Sequence, residues 1–391
     1  MDLFNKETND PKNLRITHIN IQNWRNFRKI DTELQQRVFL VGPNASGKSN
    51  FLDIFRFLND IVSVGGGFQE ALRKRGGLPG IRALSARQYP DVIIKFSLGT
   101  DEQPNIWSYE LRFKQDKFKQ PTITKERITH RGKEILDRPK TEDIEDPARL
   151  NYTYLEQVNV NKEFREISEF LKFIRYLHIV PQLVREPDRS VGKKNDPYGG
   201  DFLDQIISTP KKTQDARLRR IGKALSVAVP QLKEIKMERD EKGKAHLIGR
   251  YEHWRKSGAW QKEDQFSDGT LRLLGLLWAL LDGDGPLLLE EPELSLHPEV
   301  IRHIPEMFAK IQIKSHRQII VSTHSPDILK DEGIGLTEVL LLKPSPEGTK
   351  VVSLNKIKDA EVLLKHGVSL AEFVIPHTMP ANSLQLTLFS N

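Results

Sequence analysis

Not one of the 391 residues is cysteine. That excludes disulfide bridges and thiolate metal sites, and it fits a reducing compartment such as the cytosol. Long apolar runs are missing too. The longest, Leu271–Leu281, is interrupted by Arg272 and falls short of the ~20 residues a helix needs to span a bilayer. The opening residues, MDLFNKETNDPKN, lack the basic stretch and apolar core of a secretory signal. A soluble, cytoplasmic chain with no membrane partner is therefore expected. Heptad runs, internal repeats and low-complexity tracts are also absent from the sequence.

What is present is the composition of a folded protein. Charged residues make up 29% and hydrophobic ones 38%, enough for a sizeable core and too apolar for a disordered chain. The formal net charge of +7 admits a polyanionic partner such as DNA, but over this length it is no nucleic-acid signature.

Periodicity orders the chain into strands and helices. Leu14–Ile21 alternates apolar and polar residues, the period of a half-buried strand, and Arg37–Val41 reads as a short buried one. Asp91–Leu98 and Ile106–Phe113 follow, the latter with Trp107, Tyr109, Leu111 and Phe113 on one face. Residues 114–165 are rich in lysine, glutamate and aspartate with few apolar anchors; they read as strand ends, a surface excursion and the start of a helix. Helices are predicted near 163–174, 201–208 and 213–228, a strand over Tyr176–Val180, and a hairpin over 232–251 turning at Asp240–Gly243. Pro286–Glu290 and Gln318–Ser322 are further buried strands between helical patterns, which is α/β alternation around a parallel sheet. Val339–Leu342 and Lys350–Leu354 read as a terminal hairpin, and the final SLQLTLFSN alternates like an unpaired strand.

Four short stretches carry chemistry. Gly42-Pro-Asn44-Ala-Ser-Gly47-Lys48-Ser49 has the spacing of a phosphate-binding loop between strand and helix. Its backbone N–H groups can wrap a phosphate, Lys48 can reach the β- and γ-phosphates, and Ser49 can bind Mg²⁺. Leu287–Pro292 ends an apolar strand in two carboxylates, placing Glu290 and Glu291 at the carboxyl edge of the sheet beside that loop. Glu290 is expected to hold magnesium through water, and Glu291 to orient and deprotonate an attacking water. His324, just past another buried strand, can hydrogen-bond the γ-phosphate and sense its loss. Finally, Phe266-Ser267-Asp268-Gly269-Thr270 opens a helix and bares N–H groups that attract phosphate, yet brings no lysine of its own.

In this order, with Leu294-Ser-Leu-His297 after the carboxylates, the motifs resemble those of the ABC-type ATPases. Within them the chain is similar to the RecF/SMC-like, AAA-family group related to the ATPase part of OLD proteins, over about 14–100 and 175–345. The resemblance implies an α/β fold: an ABC-type ATPase head with a parallel central sheet, an antiparallel β subdomain and a helical lobe. It implies ATP and Mg²⁺ as cofactors, with Gly42, Asn44, Gly47, Lys48, Ser49 and Asn50 around the nucleotide. Ser49 and Glu290 would hold the metal, and Glu291 and His324 would be catalytic. In that family the signature of one subunit caps the nucleotide held by the other. Ser267 and Gly269 would then contact a partner's ATP in a homodimer or higher homo-oligomer, which explains a phosphate-seeking helix tip without a lysine.

The resemblance also bears on clients. Closure would act either on DNA, as in RecF-like repair and chromosome maintenance, or on an effector protein such as a nuclease. The compact form resembles sensor subunits of two-gene anti-phage defence systems, the preferred reading. A scaffold that keeps ATP as an unhydrolysed clamp is the non-enzymatic alternative, and a transporter subunit is the least expected. The expected division is 1–100 and 211–345 as the two parts of the ATPase head, 101–210 as an insertion or helical lobe, and 346–391 as a C-terminal hairpin and tail. Two departures from the family pattern are Glu290 in place of aspartate and Asp268 in place of the commoner glycine. The family's nucleotide-linking glutamine has only Gln69 and Gln88 as candidates.

Other features divide between function and packing. The basic run Arg73-Lys74-Arg75, with Arg82 and Arg87, could grip nucleic acid, reach a partner's site, or form a solvated face. Arg217, Arg219 and Arg220, Lys193-Lys194 and Lys211-Lys212 broaden the basic surface. Asp282-Gly-Asp284 looks like the acidic pair of a Toprim nuclease but reads better as a loop, and Trp254 and Trp260 read as packing residues that could stack on bases.

Overall fold

The computed structural model describes residues 14–83, 91–186, 196–253 and 259–379. The first of its sheets is antiparallel and ordered β2-β1-β4-β5-β6-β7. It comprises β1 (Arg15–Trp24), β2 (Phe27–Glu33), β4 (Val92–Gly99), β5 (Trp107–Gln115), β6 (Pro121–His130) and β7 (Lys133–Arg138). The central sheet is ordered β15-β14-β3-β13-β12-β8. Its strands are β3 (Arg37–Val41), β8 (Arg175–Leu177), β12 (Leu287–Glu290), β13 (Ile319–Thr323), β14 (Val339–Lys343) and β15 (Lys350–Ser353). All its neighbours run parallel except β14 and β15. A smaller antiparallel sheet joins β9 (Leu232–Arg239), β10 (Ala245–Tyr251) and β11 (Ala259–Lys262).

The central strands are apolar throughout because helices and the first sheet cover both faces. The side-chain alternation of β3 shows it directly. Val38 and Leu40 join one core with helix Lys48–Val62 and the antiparallel sheet, whereas Phe39 and Val41 face a second core with Phe308 and Phe373. A third core packs helix Asp268–Leu281 against helix Lys211–Ala228 and the small sheet. The two large sheets are stitched by Gln318, whose amide accepts from Ile16 N at 3.0 Å and donates to Ile16 O at 2.7 Å and Gln35 O at 2.9 Å. A β-bulge between Ile16 and His18 on β1 lies beside that contact.

The expectation of a surface excursion over 114–165 is corrected. β6 and β7 extend the antiparallel sheet, and Ile123, Ile128, Leu136, Leu155 and Phe164 are buried. Their apolar residues are sparse because one face of each strand is solvated and because part of the interior is ionic. Arg138, Glu126 and Asp143 are fully buried together. Also unforeseen were β11 and the helices Ala360–Lys365 and Leu370–Thr378, the second of which closes a face of the central sheet with Leu370, Phe373 and Val374. The tail strand expected at SLQLTLFSN lies outside the described residues. No described helix is long and apolar enough to cross a membrane.

Candidate functional site

The phosphate loop lies between β3 and helix Lys48–Val62, as its spacing requires. Two of its residues turn left-handed, Ala45 at φ 60° and Gly47 at φ 98°. A Cβ on Gly47 would strike the Asn26 amide, and one on Gly42 would come to 2.7 Å from Leu342 O and Ser46 Oγ. Both glycines are thus demanded by close packing and, at Gly47, by backbone angle. Asn26 secures the loop, donating to Ser46 O at 2.9 Å and Thr349 Oγ1 at 2.8 Å while accepting from Asn50 Nδ2 at 2.8 Å. Asn44 and Ser49 are exposed on its outer side.

Parallel registry brings the other motifs to the same edge. β3 pairs with β13 and β13 with β12, so the residues that end these strands are neighbours although β3 is distant in the chain from the other two. Lys48 Nζ donates to Gly42 O at 3.0 Å and Pro43 O at 3.1 Å, and lies 3.4 Å from His324 Nδ1. The opposite ring nitrogen, His324 Nε2, is 2.8 Å from Glu291 Oε1. This assigns one tautomer: Nδ1 accepts from the lysine and Nε2–H donates to the carboxylate. Glu290 accepts from the hydroxyls of Ser49 and Tyr176, one on each carboxylate oxygen. His178 Nδ1 lies 3.1 Å from the Glu290 carbonyl.

The electrostatics follow from burial. Desolvation lowers the Lys48 ammonium to about 8, opposed by Glu291, Glu290 and Glu293. His324 is also pushed below its ordinary value, by burial and then by the Lys48 charge, against Glu291, and so stays neutral at pH 7. Glu293 is buried, accepting from Thr323 Oγ1 at 2.6 Å and His324 N at 3.0 Å, and burial raises its carboxyl.

The signature begins a helix as expected. Ser267 is the N-cap of Asp268–Leu281, its Oγ accepting from Thr270 N at 3.2 Å. Asp268, whose charge is unfavourable at a phosphate site, is paired with Arg185 at 2.6 Å. A Cβ on Gly269 would come to 2.4 Å from Ser295 O, so the signature tip packs closely on the loop after Glu291. His297 caps the next helix, accepting from Glu299 N at 3.2 Å.

Sequence reasoning missed Tyr176, His178, Asn26, Arg185 and Glu293. Tyr176 and His178 were readable in principle: Tyr176 lies on β8 and His178 just past its end, at the carboxyl edge of the sheet. The others had no local signal. Several other expectations resolve into packing. Gln69 donates to Pro121 O and Asn151 O, both at 3.1 Å, and Gln88 lies outside the described residues, as do Arg87, Lys193, Lys194 and Trp254. Arg75 is buried against Phe57 and paired with Asp53 and Asp60, while Arg73 and Lys74 pair with Glu70 and Asp60. Asp282 is held by Arg175 and Arg217, which is loop anchoring rather than a nuclease pair. Trp260 is 44% exposed with Lys236 Nζ 4.2 Å over its ring.

A phosphate loop, two carboxylates and a histidine at one edge of a parallel sheet, with a capped signature helix, give the chain the P-loop ATPase fold found in SMC heads. Residues 37–330 match the family described as "AAA domain, putative AbiEii toxin, Type IV TA system", and the chain belongs to that family. Among solved structures, an SMC head bound to the C-winged helix domain of ScpA is similar with a TM-score of 0.51 at 13% identity, covering 89% of this chain and 99% of that one. An SMC head domain from Thermotoga maritima gives a TM-score of 0.45 at 14% identity, covering 87% of this chain and 98% of that one. A Pyrococcus furiosus SMC head with an extended coiled coil, bound to the C-terminal domain of ScpA, gives 0.49 at 12% identity over 90% of this chain and 99% of that one. At 13% identity the likeness to the first of these shows the fold alone. No curated protein matches the chain in sequence.

Proposed function

We propose that this chain is an Mg²⁺-dependent ATPase whose copies close head to tail around two ATP molecules. The observation that carries this reading is the meeting of Lys48, Ser49, Glu290, Glu291 and His324 at one sheet edge. The residues fit the cofactors. The glycine cradle leaves backbone N–H groups free of side chains, and Lys48 Nζ, held now by loop carbonyls and His324, can exchange them for phosphate oxygens. Ser49 and Glu290 offer hard oxygens to a cation that keeps water and phosphate in its shell. Bound there, magnesium would neutralise phosphate charge.

The remaining work belongs to the side chains. Glu291 accepts a proton from water, and the neutral His324 fixes its carboxylate through Nε2–H. Before nucleotide arrives, Lys48 holds the imidazole through Nδ1. Ser267 and Gly269, one turn of helix with uncommitted N–H groups, would meet the phosphate held by a partner. The client is proposed to be an effector protein in anti-phage defence, a reading the AbiEii-type family supports; a RecF-like role on DNA predicts instead DNA-stimulated hydrolysis that collapses with salt. Glu291→Gln is expected to retain ATP binding, lose hydrolysis by about 10²–10⁴-fold and trap the dimer, read by phosphate release and light scattering. Hydrolysis at the parent rate would remove Glu291 as the base.

A further inference from the structure

Two buried atoms beside the catalytic carboxylate have no partner among the described residues. Arg272 Nε and Glu293 Oε2 are shut off from solvent, and no described residue hydrogen-bonds to either. One is a cationic donor and the other a carboxylate acceptor. Arg272 lies within electrostatic reach of Glu293 and Glu291, and its side chain lines a small cavity with Glu290, Glu291 and Leu276. Folded proteins rarely leave such groups unmatched, and a complementary pair left open at a reaction centre points to a second arrangement that joins them.

Their attachments give that arrangement a direction. Arg272 sits one turn after Gly269 on the helix that Ser267 caps, so it moves with the signature tip. Glu293 is fixed by its other oxygen to Thr323 Oγ1 and His324 N, at 2.6 and 3.0 Å, and its carbonyl accepts from Leu296 N at 3.0 Å. The turn that carries Glu293 is flanked by two left-handed residues, Glu291 at φ 45° and Ser295 at φ 62°. Any pull on Glu293 is therefore delivered to His324, and through its 2.8 Å contact to Glu291.

We propose that Arg272 and Glu293 form a closing ion pair, through which a signature tip seated on a second copy's nucleotide sets the position of its own chain's His324 and Glu291. The inference rests on the head-to-tail reading and names its regulation: each copy's base is aligned by the nucleotide on its partner. Arg272 and Glu293 are positioning residues, since neither touches the reacting atoms. The guanidinium suits the task, being always charged and offering donors in a fixed plane that a carboxylate can meet.

The test uses the full chain with Mg²⁺ and ATP, comparing Arg272→Met, Glu293→Gln and the double variant. Each single change is expected to lower kcat at least tenfold with KM within twofold of the parent, and the double variant to be no slower than the slower single. Thermal melts at the parent temperature exclude a merely structural loss. Parental kcat in either single variant, or losses that multiply in the double, overturns the pair. Should Arg272→Met fail to fold, Glu293→Gln decides alone, because its amide oxygen still accepts from Thr323 and His324 while its NH₂ refuses the arginine. Glu291→Gln, measured alongside, separates the two readings. Parental turnover in that variant removes the base and the pair with it, whereas lost turnover there with parental turnover in Glu293→Gln removes only the pair.

Discussion

Two of the places where the described residues bury charge are finished to different degrees. Under the antiparallel sheet every N–H of Arg138 is used: Nε and Nη2 on Asp143 at 3.1 and 2.8 Å, Nη1 on Glu126 at 2.9 Å, and the rest on the carbonyls of Tyr152 and Arg149 at 3.1 and 3.0 Å. The Tyr154 ring covers the guanidinium at 3.7 Å. At the edge of the central sheet, the described partners of Lys48 are carbonyls and an imidazole that a phosphate can replace, and Arg272 and Glu293 each keep an atom with no partner among the described residues. Saturated buried charge specifies structure, and unsaturated buried charge waits for a ligand or a second state.

That contrast can be broken most forcefully at Arg138. Arg138→Met strands Glu126 and Asp143 in the interior, and the expected loss is about 3–5 kcal/mol in urea unfolding. A loss under about 1 kcal/mol would mean that the cluster does not specify the sheet.

A smaller effect is expected at Glu156, which borders the same cluster. It accepts from Phe68 N at 2.6 Å and Thr153 Oγ1 at 3.1 Å, and burial raises its carboxyl to about 7. A folded pKa above the unfolded 4.5 means that the stabilisation is complete below about 4.5 and is lost as pH climbs through about 7. The accumulated loss approaches about 3 kcal/mol. Glu156→Gln keeps both hydrogen bonds and should flatten this slope in unfolding measured from pH 4 to 8. An unchanged slope would assign it to other groups.

The smallest effect on stability is expected at Lys48. Lys48→Met removes a desolvated ammonium, so unfolding should shift by less than about 1 kcal/mol, or towards greater stability. ATP affinity should nevertheless fall by about tenfold to a hundredfold, from the charge-assisted hydrogen bonds lost. Calorimetric titration beside a melt checks both halves. A large stability loss would place Lys48 with Arg138, as a structural charge.

How far the sequence could be read follows the same division. Lys48, Ser49, Glu290, Glu291 and His324 were legible because each closes a short pattern of strand and loop whose chemistry is local. The helix start at Ser267 was legible for the same reason, though its capping role was not read. The β6–β7 region was not, since Arg138, Glu126 and Asp143 look like ordinary surface charges until the fold brings them together. Glu293 and Arg272 were illegible too: a glutamate after proline and an arginine in an apolar helix carry no mark of the partners they face. In the basic run at Arg73–Arg75 the packing of Arg75 was not legible, because a charge cluster in sequence does not reveal which side chain turns inward, here onto Phe57 and Asp53.

By itself the sequence determined the turn chemistry of Gly42–Ser49, the strand before it and the helix after it, because backbone angles and side-chain period act over a few residues. Only the tertiary structure decided which carboxylates and imidazole that loop would meet and which buried charges would be completed. Those contacts join residues from strands distant in the chain, and no short-range preference specifies them.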